Sequence, residues 1–201
     1  MVRNNFVFIL IFFAFSVYAQ NAQEISFELK SGKFIIDADL DLAVSDDNSY
    51  RMIFFDELPT EKQKEEIISL GIQFLYYLPQ NIFVVKIHNE INIDDLKDYK
   101  IKSINKLLPE YKLDPKLQEK KYPEWCLKNG LLYIKLLLHS DVNLEEALIQ
   151  MESFYEKVEE INKKSNTITL AINDLNLSIS ETFLSFLIFS FGFTYFLLNI
   201  L

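Results

Sequence analysis

Residues 71–87 read GIQFLYYLPQNIFVVKI, two apolar runs on either side of a Pro-containing connection. QFLYY (73–77) and IFVVKI (82–87) carry the aromatic and β-branched residues that suit a pleated surface, so the stretch predicts a β-hairpin. Closing it directly across LPQN sets Tyr77 against Ile82, Leu75 against Val84 and Gln73 against Lys86. Side chains alternate across a sheet, so these six share one face, and Phe74, Tyr76, Phe83, Val85 and Ile87 share the other. The second face carries no charge and is expected beneath helices. The first is then left without helix cover. Burying one such side chain is worth about 1.5–3 kcal/mol, so Leu75, Tyr77, Ile82 and Val84 are expected either to pack against the rest of the chain or to dock a partner.

The flanking segments extend this hairpin into a unit. RMIFF (51–55) reads as a strand, and TEKQKEEIISL (60–70) as a helix with Thr60 as N-cap, Gln63 as its capping-box partner and Gly71 as the stop. After the hairpin come a short helix, IDDLKDY (93–99), opened by Asn92, and a strand, KIKSINKLL (100–108). The order over 50–112 is β-α-β-β-α-β. A Lys-, Pro- and Glu-bearing stretch, 113–130, reads as a linker, after which the same grammar returns. LYIKLLL (132–138) is a strand, and LEEALIQMESF (144–154) is a helix capped by Asn143, with Leu144, Leu148 and Met151 on one stripe. EKVEEINKK and NTITLAI (166–172) are two more strands, and a second helix should begin near Asp174. The predicted class is α+β, as two tandem ferredoxin-like sandwiches at 50–112 and 131–182, the second incomplete.

The ends carry different signals. Residues 1–19 hold Arg3, an uncharged apolar stretch from Phe6 to Phe15 and small residues before Gln20, which is the pattern of a secretory signal peptide cleaved after Ala19. Residues 20–49 are polar, turn-rich and acidic at Asp37, Asp39, Asp41, Asp46 and Asp47, and are expected to form a flexible lead-in. Counting from Asp37, the sixth and twelfth positions hold Leu42 and Asn48, where a calcium loop needs Gly and Glu. The tail, 183–201, has no charge and supports three readings: a transmembrane helix, a final strand, or a shifted or truncated reading frame.

A formal charge of −9 argues against nucleic acid. The one cysteine, Cys126, excludes an internal disulfide and reads as a buried small hydrophobe. Two histidines each end a strand, His88 after 82–87 and His139 after 132–138. His139-Ser140-Asp141 holds the residue types of a hydrolytic triad, but neighbours in sequence seldom converge as one, and four glycines leave neither a nucleophile elbow nor a phosphate loop. No catalytic residue, cofactor or metal is expected.

The run from Arg51 to Leu113 resembles the N-terminal propeptide-like region of secreted bacterial subtilisin-like serine peptidases. The likeness rests on Gly71, Ile72, Leu75, Tyr77, Pro79, Asn81 and Phe83 in order, followed by PEYKL at 109–113. The resemblance implies a ferredoxin-like domain that docks an open sheet face on a peptidase, templates its folding and inhibits it, with Leu75, Tyr77, Ile82 and Val84 as candidates for that face. The family's peptidase motifs do not follow here, so the partner is expected to be a separate subtilisin-like peptidase domain or another extracytoplasmic protein. The expected location is periplasmic, secreted, or membrane-anchored through the tail.

Overall fold

A computed structural model describes residues 24–42, 50–119, 121–173 and 195–197. The class is α+β, built mainly from antiparallel sheets with few helices. The signal peptide expected at 1–19, the helix expected near Asp174 and most of the tail lie outside the described residues. Among the described residues no helix is long and apolar enough to cross a membrane.

The first sheet is made of β3 (Tyr50–Phe55), β4 (Ile72–Leu78), β5 (Ile82–Ile87) and β6 (Ile101–Lys106), in the spatial order β4-β5-β3-β6. Helix α1 (Glu61–Ser69) starts where expected: Thr60 accepts from the Gln63 N–H, and the Gln63 side chain accepts from the Thr60 N–H. The second expected helix is a 3₁₀ segment, Ile93–Tyr99, with Asn92 accepting from the Asp94 N–H.

The register of the quoted hairpin differs from the one expected. Leu78 is opposite Ile82 and Tyr77 opposite Phe83, because the loop is one residue shorter than LPQN, with Gln80 and Asn81 both in the left-handed region. A bulge at Leu75 then absorbs the offset, so that Gln73 still meets Lys86. Between loop and bulge every β4 side chain changes face. Tyr77 lies on the α1 side, its ring 5.2 Å from Phe83, while Tyr76 moves to the face that was expected to be uncovered.

That face is covered from within the chain. The stretch expected as a flexible lead-in instead forms an antiparallel hairpin of β1 (Glu24–Leu29) and β2 (Gly32–Asp37). Alternation in EISFEL sends Ile25 and Phe27 inward and Glu24, Ser26 and Glu28 to solvent. Phe27 sits among the rings of Phe34, Phe54 and Tyr111 at 5.3–5.5 Å, above Met52, Ile82 and Val84. Beyond the hairpin, the chain runs parallel to the outer edge of β6: Ile104 N–H donates to the Asp39 carbonyl at 2.6 Å, and Asp41 N–H to the Ile104 carbonyl at 2.9 Å. Arg51, almost fully buried, donates to the Asp41 carbonyl at 3.1 Å and stands 3.5 Å from its carboxylate. With α1 and the 3₁₀ segment on one face and the hairpin on the other, Arg51–Phe55 are buried without a break.

The second sheet holds β8 (Leu131–Leu137), β9 (Lys157–Asn162), β10 (Thr167–Asn173) and β11 (Tyr195–Leu197) in the order β11-β8-β10-β9, with β7 (Leu127–Lys128) beside β8. Both sheets therefore run second, third, first, fourth strand of their unit. Tyr195–Leu197 is the part of the apolar tail that is described, and it is an edge strand. Helix α3 (Leu144–Gln150) and the 3₁₀ turn Glu152–Phe154 cover one face, burying Leu144, Ala147 and Met151 against Leu132, Ile134, Leu136, Ile168, Leu170 and Ile172. The stretch expected as a linker joins this core: Leu113, Leu117 and Cys126 are buried in it, and Pro115–Gln118 forms a short helix, α2.

If the β1–β2 hairpin is part of the first core, Phe27→Ala should lower stability by about 3–5 kcal/mol, whereas Ile35→Ala, at an exposed position of the same hairpin, should stay within about 0.5 kcal/mol. Urea unfolding of the two variants measures this, and equal midpoints would mean that the hairpin does not pack.

Candidate functional site

The two sheets share no strand pairing among the described residues, and they meet through side chains. From the first sheet, Tyr50 at the start of β3, Tyr76 on β4 and Lys86 on β5 project from the hairpin-covered face, beyond the end of the hairpin. From the second comes the loop between β8 and α3, residues 138–143.

That loop is held from both sides. Val142 N–H donates to the His139 carbonyl at 3.0 Å, and Asn143 caps α3 by accepting from the Glu145 and Glu146 N–H groups at 2.8 and 3.2 Å. Asn166, left-handed in the β9–β10 turn, donates its side-chain amide to the His139 carbonyl at 2.5 Å and the Leu138 carbonyl at 3.2 Å. The His139 ring is thereby placed between two tyrosines: it lies 4.3 Å from Tyr50 at 13° and 5.5 Å from Tyr76 at 17°. Two residues on, Asp141 Oδ2 accepts from Tyr50 Oη at 3.0 Å and from Lys86 Nζ at 2.6 Å, and Lys86 also sits over the Tyr50 ring.

His139 is completely buried, and neither ring nitrogen has a hydrogen-bond partner among the described residues. Burial pushes its pKa well below the ordinary histidine value, and the cations Lys112 and Lys86 push it further the same way, so the ring is neutral at pH 7. An unpaired buried N–H costs about 1–3 kcal/mol, which the two ring contacts, at about 0.5–1.5 kcal/mol each, offset in part. Burial raises the Tyr50 pKa, as does the neighbouring Asp141, keeping the phenol a donor. Lys112, between the two units in sequence, is 2 % exposed, and desolvation lowers its pKa to about 7.

The sequence candidates are distributed differently from expectation. Ile82 and Val84 are fully buried under the hairpin and offer no free surface. Leu75, in the bulge, is partly buried and lines an apolar crevice of about 290 Å³ together with Tyr76, Leu137, Leu138 and the 164–166 turn. Tyr77 is half exposed on the opposite face. His88 pairs with Gln73 at 2.9 Å. His139, Ser140 and Asp141 form no triad: the Asp141 carboxylate is bound by Tyr50 and Lys86, and the imidazole bonds to neither neighbour. Asp39 and Asp41 serve the β6 edge and Arg51, and among the described residues no group of His, Cys, Asp or Glu is placed to hold a metal ion. Tyr50 and Tyr76, the residues that grip His139, were not singled out by sequence reasoning, since their partner lies in the other unit.

A family model described as a domain of unknown function (DUF8729) matches residues 20–108. The match spans the β1–β2 hairpin together with the first sheet and stops before the segment that enters the second core. No curated protein and no solved structure matches the chain.

The buried Lys112 gives a signed pH prediction. Its pKa is about 10.5 unfolded and about 7 folded, so between these values the unfolded chain binds more protons and stability rises with pH; below 7 the group adds no further slope. Lys112→Met should therefore stabilise by a few kcal/mol at pH 7, with the gain shrinking by about 1.4 kcal/mol per pH unit toward pH 10.5. Denaturant midpoints at pH 7, 8.5 and 10 test it, and a pH-independent difference would refute it.

Proposed function

We propose that the chain is an exported, non-catalytic protein-binding module made of two ferredoxin-like β-α-β-β-α-β units, similar to a subtilase propeptide. The shared second-third-first-fourth strand order supports the fold reading, being the order of a ferredoxin-like sheet. The observation that carries the binding reading is the outer edge of β4. Its sequence, IQFLYYL, has no charge, Leu75 is bulged out of the ladder, and Tyr77 stands half exposed beside it over Phe83. At the equivalent edge of the second sheet, β9 reads KVEEIN and is guarded by charge. An uncharged edge strand with an aromatic neighbour suits an extended protein segment added alongside it. Docking in this reading uses the β4 edge with Leu75 and Tyr77, and the sheet face holding Ile82 and Val84 stays under the hairpin.

The partner in the first reading is a subtilisin-like peptidase domain, which the module would help fold or inhibit. A second reading, an extracytoplasmic binding domain unrelated to proteolysis and anchored by its apolar tail, is favoured by the hairpin itself. A propeptide that docked by its sheet face would first have to shed Ile25 and Phe27 from that face.

Titrating a subtilisin-like peptidase with the exported chain separates the two. The first reading expects inhibition at micromolar concentration or below, weakened at least tenfold by Tyr77→Asp with the unfolding midpoint nearly unchanged. Absence of inhibition and of binding at that concentration leaves the second reading.

A further inference from the structure

We propose that the Tyr50–His139–Tyr76 stack is an acid-released latch: protonation of His139 frees its ring from between the tyrosines and lets the two sheets separate while each stays folded. The proposal is independent of what the module binds.

The geometry leaves an imidazolium no place at this position. A charged ring has two N–H donors, and neither nitrogen of His139 has an acceptor among the described residues. The groups facing it from each neighbouring element are Tyr50 of β3, Tyr76 of β4, Lys86 of β5, Lys112 of the segment after β6, and Asp141 of its own loop. Asn166, from the β9–β10 turn, grips the backbone carbonyl of His139 and leaves the ring alone. Burial and Asp141 keep the Tyr50 phenol neutral. The two lysines are repulsive toward a charged ring, Lys112 increasingly so as it gains its own proton near pH 7. Asp141 is the one acid: its Oδ2 is held by Lys86 and Tyr50, and its buried Oδ1 bonds to neither ring nitrogen.

The sign follows from burial. His139 is harder to protonate folded than unfolded or released, so the latch is at full strength above the ordinary histidine pKa of 6.5 and weakens as pH falls below it. Release is confined to the junction, because the sheets are joined there by side chains, whereas each is held internally by strand ladders and its own buried cluster. Asp141 travels with the same loop, so freeing His139 also parts the Lys86 ion pair.

Hydrogen exchange of the full chain, corrected for intrinsic rates, tests this between pH 7.5 and 5 by comparing amides at 139–142 with those of the internal ladders of β3 and β10. The expected result is at least a tenfold loss of protection at the junction, with β3 and β10 protection and far-ultraviolet circular dichroism unchanged. His139→Phe keeps an aromatic ring in the stack and removes the titration, and should hold the loss within twofold. The same acid loss in His139→Phe, no loss in the parent chain by pH 5, or parallel loss in β3 or β10 would each overturn the latch. Should His139→Phe fail to fold, the His139 ring resonances of the parent chain, assigned with His88→Asn, decide the matter. Ring protonation coincident with junction opening supports the proposal, and protonation within the closed junction ends it.

Discussion

Phe27 is the contact on which the first unit depends. Its ring meets Phe34 on its own hairpin, Phe54 at the centre of the sheet and Tyr111 in the segment leading to the second unit, so one side chain ties three stretches of chain that are far apart in sequence. The tie is reinforced by directional bonds at the hairpin's margins: Ser31 Oγ donates to the Tyr111 carbonyl at 2.7 Å, and Glu28 N–H donates to the Gln80 side chain at 3.1 Å. A four-stranded sheet with helices on one face has apolar surface left on the other. Here the chain's own N-terminal hairpin takes that surface, and the remainder of the same face receives the His139 loop. The first sheet is thus filled from within at both ends.

How far this was legible in the sequence varies by element, for identifiable reasons. Capped helices were readable because the cap is local chemistry: Thr60 with Gln63, and Asn143 with the N–H groups of Glu145 and Glu146, act within four residues. The β5 faces were readable because strand alternation is strict, and Ile82, Val84 and Lys86 do share a side. The β4 faces were not, since a loop one residue shorter and a compensating bulge at Leu75 leave the Gln73–Lys86 end of the pairing unchanged while inverting Tyr76 and Tyr77. Apolar pattern alone cannot fix register where both faces carry aromatics.

The hairpin was missed for a different reason. Five of residues 24–41 are acidic and suggested a solvated stretch, yet the inward positions Ile25, Phe27, Phe34 and Ile36 alternate cleanly. A signal also lay in its target: RMIFF is an unbroken buried run, which is the mark of a strand covered on both faces. Read that way, the sheet demanded a second cover, and the alternating pattern just upstream was available to supply it. Nothing comparable announced the Tyr50–His139–Tyr76 stack. Its members are scattered over 90 residues of chain, and each alone is an ordinary strand-end aromatic.

The two kinds of contact divide the molecule's stability unevenly. Within each unit, ladders and apolar clusters cooperate, so losing one contact leaves many others in place. Between units, the junction concentrates its energy in a stacked imidazole, one carboxylate shared by Tyr50 and Lys86, and a nearby buried Lys112 that opposes folding at neutral pH. A hydrophobic junction of the same size would be insensitive to pH; a solvated ionic one would be weak at any pH. Burying titratable groups that are only partly partnered makes this the place where a change in proton concentration acts on the arrangement of the two sheets before it acts on either sheet itself.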